Sequence, residues 1–347
     1  MRRPHWLLAT LVAAGLFTGA CGGNEPASAE ADSGAASTIR LGYFPNLTHA
    51  TAIVGVDEGL FQESLGDVKL EPAIFNSGTE AVEALFSDAI DASFVGPNPA
   101  INAWQQSEGV AIRIVSGATS GGAFLVVRDG IDSVEDLAGT KLSTPDLGNT
   151  QDVALRAWLK DNGFETDLEG GGDVSIMPQD NSQILETFRS GEIDGAWVPE
   201  PYATRLILEG GGHILVDERD LWPDGKYVTT HLIVATTFLE EHPDVVRALL
   251  EGVVAANELI NDDPERAKSV VNAGLEALTG SPIPEQTLDA AWENLLFTLD
   301  PIASSLEGSA DAAVEVGLLE PVDLEGIYDL GLLNEVLGEA GLSEVAQ

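Results

Sequence analysis

The segment "STPDLGNTQDVALRAWL", residues 143 to 159, gathers side chains and backbone suited to holding an anion. An apolar stripe at Ala154, Leu155, Trp158 and Leu159 predicts a helix that starts at Asn149 or Thr150, with Asp152, Arg156 and Lys160 at i, i+4 and i+8 on its outer face. A helix start has unpaired N–H groups and roughly half a positive charge, so it can bind an oxyanion without any lysine. Gly148 permits close approach, and the Thr150 hydroxyl and Gln151 amide add neutral donors. Asn149 with Asp152 three residues on also reads as a plain capping arrangement. Asn46 and Thr48 repeat the pattern in "GYFPNLTHA", so two helix N-termini are expected to converge on one ligand.

Further candidates sit in loops that follow strand-like runs. Tyr43, Phe44 and Trp197 would pack the organic part of a ligand, or else belong to the core. Asn76, Asn98 and Ser120 offer polar groups that could equally hold turns. Glu200 in "VPEP" is harder to place, because a carboxylate repels an oxyanion: it either points away into a structural pair or meets a cationic group. His49 could donate to an anion if protonated, or lie on a helix surface.

Catalytic spacings such as H-E-x-x-H, G-x-x-x-x-G-K-[ST], G-x-S-x-G and C-x-x-C do not occur in the 347 residues, and the five histidines show no ligand spacing. Cys21 is the sole cysteine, which excludes an intrachain disulfide and a metal site of several thiolates. No cofactor or metal is expected. With 57 Asp and Glu against 16 Lys and Arg, the formal net charge is -41, which argues against nucleic-acid partners. Local donors can still bind an anion, since salt screens the global field within about 8 Å.

Positioning these groups requires α/β architecture. "TIRLGY", "VKLEPAIF", "DASFV", "AIRIV", "AFLVVR", "TKLS", "DVSIM", "DGAWV", "HILV" and "HLIVA" alternate with amphipathic stretches, which predicts largely parallel sheets. "EALFSDAIDASFVGPNPA" (83–100) is echoed by "ETFRSGEIDGAWVPEPYA" (186–203), and "IRLGYFPNLTHA" by "TKLSTPDLGNTQDVA". Two similar open lobes are implied, and the loops between them form the deepest available site.

At the N-terminus, Arg2 and Arg3 precede the apolar "WLLATLVAAGLF" and the small residues "TGAC". This resembles a bacterial lipoprotein signal with Cys21 as the lipidated residue, although Thr18 stands where leucine is usual. Residues 1–20 would be the signal peptide and 21–37, rich in Gly, Ala, Ser and Glu, a flexible tether.

"GYFPNLTHA", "GPNPAINAW", "SGGAFLVVR", "LGNTQDVALR", "IDGAWVPEP" and "YVTTHLIV" resemble blocks of the substrate-binding proteins of ABC importers in the aliphatic sulfonate, taurine and nitrate group. The similarity runs from about Ile39 to about Leu250, and the tail beyond reads as amphipathic helices only. The resemblance implies a type II periplasmic-binding-protein fold: lobe 1 from 38–126 and 230–347, lobe 2 from 127–229, and C-terminal helices packed on the first lobe. The two-strand hinge would lie near Phe124 to Arg128 and Val228 to Ala235. It further implies a monomeric, lipid-anchored, extracytoplasmic binder that hands a small sulfonate or oxyanion to a permease and its ATPase. Relatives binding neutral or heteroaromatic ligands such as pyrimidine precursors, and enzymes on the same fold, leave two alternatives open.

Overall fold

Two short strand-helix repeats, each closed by a strand borrowed from the other half of the chain, position the loops singled out above. The computed structural model describes residues 36–346. The expected leader, Cys21 and most of the tether lie outside the described residues. The chain first runs through β1 (Thr38–Tyr43), α1 (Ala50–Asp57), α2 (Leu60–Leu65), β2 (Lys69–Ile74), α3 (Gly78–Phe86), β3 (Ala92–Val95), α4 (Pro97–Gln106) and β4 (Ile112–Gly121). It then forms β5 (Ala123–Val127), β6 (Lys141–Thr144), α5 (Thr150–Asp161), β7 (Ser175–Pro178), α6 (Asn181–Ser190), β8 (Gly195–Pro199), α7 (Tyr202–Leu208) and β9 (His213–Asp217). It returns through β10 (Val228–Ala235), α8 (Thr236–Glu241), α9 (Pro243–Asp262), α10 (Pro264–Thr279), α11 (Glu285–Trp292), β11 (Leu295–Phe297), α12 (Ala303–Glu315) and α13 (Gly331–Ala340).

The first sheet has the order β11-β4-β10-β3-β1-β2 and the second β7-β6-β8-β5-β9. Their cores correspond: β2-β1-β3-β10 matches β7-β6-β8-β5. The internal echo marks this correspondence residue by residue, since Leu41 pairs with Ala92 as Leu142 pairs with Gly195. Its Ile-Asp signature has a structural cause. Asp91 Oδ2 accepts the Arg40 backbone N–H at 2.7 Å, and Asp194 Oδ2 accepts that of Lys141 at 2.9 Å, so each aspartate ties into the neighbouring strand, at the third residue of β1 and the first of β6.

The expectation of largely parallel sheets is corrected. β1 with β2 and β3, and β6 with β7 and β8, are parallel, but every pairing made by β10, β5 and β11 is antiparallel. The strands that return between lobes cause this, and their apolar runs read the same in either direction. The tail is also more than helices, because β11 extends the first sheet at β4. Three residues are too few for an alternation signal.

The change of sheet falls at Gly121–Gly122, whose φ values of 79° and 75° are left-handed and open to glycine. A Cβ on Gly122 would stand 2.2 Å from Leu295 Cδ2. The second crossing lies between Asp217 and Val228, in 3₁₀ turns at Glu218–Leu221 and Pro223–Gly225. The 126/127 boundary therefore falls inside β5, and the hinge segments expected near Phe124 and Val228 are bonded sheet strands. The crossings hold each other: Ala123 N–H donates to the Tyr227 hydroxyl at 3.1 Å, and Thr229 Oγ1 donates to Gly121 O at 2.6 Å.

Two apolar clusters lie in each lobe, and Val153 of α5 joins one of the first lobe's. α9 and α10 pack on the first lobe through α1, while α11 touches α7 and α12 touches both α4 and α5. The C-terminal helices thus bridge the lobes as well as covering the first one. Among the described residues, no helix is long and apolar enough to cross a membrane.

Candidate functional site

Helix starts from both lobes face one cavity. Asn46, Thr48 and His49 come from the turn before α1, Ser77 and Gly78 from the start of α3, and Gly96 and Pro99 from the start of α4. The second lobe supplies Asn149, Thr150 and Gln151 from α5 and Asn181 from α6. Phe44, Asn76, Pro145, Pro199 and Thr229 complete the wall. The volume is about 50 Å³, above the roughly 10–15 Å³ that one water-sized group needs.

Capping decides which atoms remain for a ligand. Asn149 is the N-cap of α5, and its Oδ1 accepts the Asp152 N–H at 2.9 Å. The first intrahelical bond runs from Val153 N–H to Asn149 O, so the Thr150 and Gln151 N–H groups are the orphans of this helix start. The capping and anion readings of Asn149 are therefore compatible: the amide oxygen caps, and the N–H groups it leaves belong to two residues that line the cavity. Asn46 behaves likewise, its Oδ1 accepting Thr48 N–H at 3.1 Å and Thr48 Oγ1–H at 2.6 Å. Its NH₂ end is left as the donor. In α3, Ser77 Oγ caps the Glu80 N–H.

The two lobes meet at Gly96. A Cβ there would stand 2.5 Å from Thr150 Oγ1, so any larger residue forces the Thr150 side chain to shift.

His49 is buried, contrary to a helix-surface position. Its Nδ1 accepts the Phe44 N–H at 3.3 Å and its ring stacks on Phe44 at 4.3 Å. Burial pushes its pKa down to about 3, so the ring is neutral at ordinary pH and Nε2 carries the hydrogen. It is a donor without charge, not the protonated donor expected from sequence.

Several expected site residues lie elsewhere. Tyr43 belongs to the first lobe's core, where burial raises its pKa to about 12. Trp197 is fully buried in the second lobe, stacked edge-on against Trp158, with Nε1 donating to Glu218 Oε2 at 2.7 Å. Asn98 donates to Ser309 O at 3.2 Å and so ties α4 to α12. Ser120 is buried in β4 between Val228 and Leu296. Gly148 is left-handed with φ 73°, and its N–H is spent on Asp152 Oδ2 at 2.9 Å. Glu200 accepts from Thr204 N and Oγ1 at 3.1 and 2.8 Å and from Asn294 Nδ2 at 2.7 Å, with burial raising its pKa. It links the end of β8 to the tail and leaves the cavity alone.

Asp152 and Arg156 are also corrected. They are buried, paired at 2.9 Å, and Asp152 further accepts from Thr144 Oγ1 at 2.8 Å. Lys160 alone of that trio is exposed. Three lining residues outside the expected set follow the same logic: Asn181 opens a helix after β7, Gly78 lies just beyond Asn76, and Gly96 just before Asn98. Thr229 carries no such signal, being a strand residue brought in by the second crossing.

A family profile described as the NMT1-like family matches residues 32–274. The chain is 28% identical over 191 residues to the taurine-binding periplasmic protein of Escherichia coli (strain K12), covering 55% of this chain and 57% of that protein. It is 28% identical over 251 residues to a putative aliphatic sulfonates-binding protein of Bacillus subtilis (strain 168), covering 70% of each. Its fold matches the periplasmic nitrate-binding protein NrtA from Synechocystis PCC 6803 with a TM-score of 0.75 at 15% identity, over 88% of this chain and 89% of that one. The match thus spans little more than half of the taurine-binding protein.

Proposed function

Because this chain belongs to the NMT1-like family, we propose that it is the extracytoplasmic solute-binding component of an ABC importer. It closes two lobes on a small organic sulfonate or related oxyanion and passes it to a permease and its ATPase. The observation that carries this reading is the convergence of helix starts from both lobes on one cavity whose wall, among the described residues, has no charged side chain. Several N-termini, each with about half a positive charge, stabilise an anion there without a cation. The sulfonate-binding and taurine-binding relatives point to the same ligand class. Closure turns on Gly121–Gly122 and the 218–227 crossing, driven by contacts to both lobes.

Binding is favoured over turnover by how the wall's reactive groups are spent. Thr48 and Thr229 hydroxyls donate within the protein, and His49 Nδ1 accepts a backbone N–H. Among the described residues of the wall, no hydroxyl is hydrogen-bonded to His49. A thermal-shift screen across sulfonates, inorganic oxyanions and pyrimidines tests the reading. A native-state ligand at a hundredfold excess over its Kd adds about 2.7 kcal/mol of stability. Shifts with sulfonates or oxyanions are expected, and shifts confined to pyrimidines contradict the proposal. Anchoring through Cys21 belongs to the same reading, and lipid labelling should vanish in Cys21→Ser; unlabelled wild-type protein overturns it.

A further inference from the structure

We infer that the cavity discriminates against ligands carrying an ammonium group, so that a zwitterionic aminosulfonate binds more weakly than the isosteric sulfonate with a neutral hydroxyl in place of the ammonium. This rests on the oxyanion reading of the same site. The wall presents amide, hydroxyl and backbone N–H donors and neutral acceptors such as the buried, unpartnered Asn181 Oδ1, but, among the described residues, no carboxylate. Acidic side chains are nevertheless close in sequence, and nearly all are engaged elsewhere. Asp152, next to Gln151, spends its oxygens on Thr144 Oγ1, Gly148 N–H and Arg156 Nε at 2.8, 2.9 and 2.9 Å. Glu200, next to Pro199, is held by Thr204 and Asn294. Asp146, next to Pro145, accepts from Thr79 Oγ1 at 3.0 Å, and Glu80 accepts the Asn76 N–H at 3.0 Å. Asp180, before Asn181, is exposed and makes no capping bond.

An ammonium brought into this wall loses its hydration and gains no counter-charge. It also meets the positive ends of the helices that hold the anion. A hydroxyl of the same size suffers neither penalty. In a chain with net charge -41, keeping every carboxylate off the wall confines the attraction for cations to the outer surface.

Titration calorimetry of the purified protein with taurine, 2-hydroxyethanesulfonate, methanesulfonate and nitrate tests this. Taurine is expected to bind at least about tenfold more weakly than 2-hydroxyethanesulfonate, which matches it in size. Equal or tighter binding of taurine overturns the inference and leaves the oxyanion reading intact. Binding of none of the four defeats that reading and the inference with it. A second arm uses Gln151→Glu, which puts a carboxylate on the wall. The ratio of taurine to 2-hydroxyethanesulfonate affinity should move about tenfold toward taurine. An unchanged ratio in a variant that melts as the wild type does contradicts the inference.

Discussion

The two lobes share a strand order, yet they brace their helix starts by different means. In the second lobe, Asp152 and Arg156 form a buried ion pair directly behind the cavity wall, which also holds the Gly148 turn and β6 through Thr144. At the first lobe's α1 start, neutral groups do the work: Asn46 caps its own turn, and His49 stacks on Phe44 while accepting its N–H. The contrast shows where charge is tolerated. It can sit one residue behind the wall when its carboxylate is hydrogen-bonded on both oxygens, as Asp152 is, and the wall itself stays neutral.

Breaking the second lobe's brace should have the largest effect. Asp152→Ala leaves Arg156 buried without its partner, an error that costs about 3–5 kcal/mol. Denaturant melting checks this, and a loss below about 1 kcal/mol would show the pair to be incidental.

The first lobe's brace is tested by pH. His49 has its pKa pushed down from 6.5 to about 3, so the unfolded chain binds the extra proton and stability falls as pH drops below 6.5. His231, pushed down to about 4 by burial, acts in the same direction. Glu218 opposes them: burial at the second crossing pushes its pKa up from 4.5 to about 7, so stability rises as pH falls from 7 to 4.5. Each contributes about 1.4 kcal/mol per pH unit within its window. Glu218→Gln should therefore steepen the acid loss between pH 6.5 and 4.5, as measured by denaturation at several pH values. A slope that stays flat would mean the histidines titrate normally.

The smallest effect expected joins the lobes. Gly96→Ala puts a methyl 2.5 Å from Thr150 Oγ1, and its backbone already suits any residue at φ -72°. The cost should fall on closure, with affinity for methanesulfonate reduced about tenfold, or about 1.4 kcal/mol, and the melting temperature of the unliganded protein little changed. Calorimetry beside a melt separates the two.

Much of this was legible in the chain. The Ile-Asp echo located both strands because each aspartate performs the same backbone bond, a requirement that leaves a residue-level trace. The helix start at Thr150 was readable from Asn149 and the apolar stripe. Strand direction was not, since β5 and β10 are apolar runs whose partners lie in the other half of the chain. Arg156 and Asp152 misled for a related reason: helical spacing puts them on one face, and nothing local says that the Asp167 carbonyl and Thr144 bury that face. Trp197 and Glu200 follow a strand toward the cleft yet turn into the lobe and the tail.

The central claim is that helix starts from both lobes hold an oxyanion without a charged side chain. A crystal structure with methanesulfonate tests it most directly. The account predicts the sulfonate oxygens within hydrogen-bond distance of the Thr150 and Gln151 N–H groups on one side and Asn46 Nδ2 on the other. A sulfonate bound outside this cavity, or held by an arginine or lysine, would contradict it.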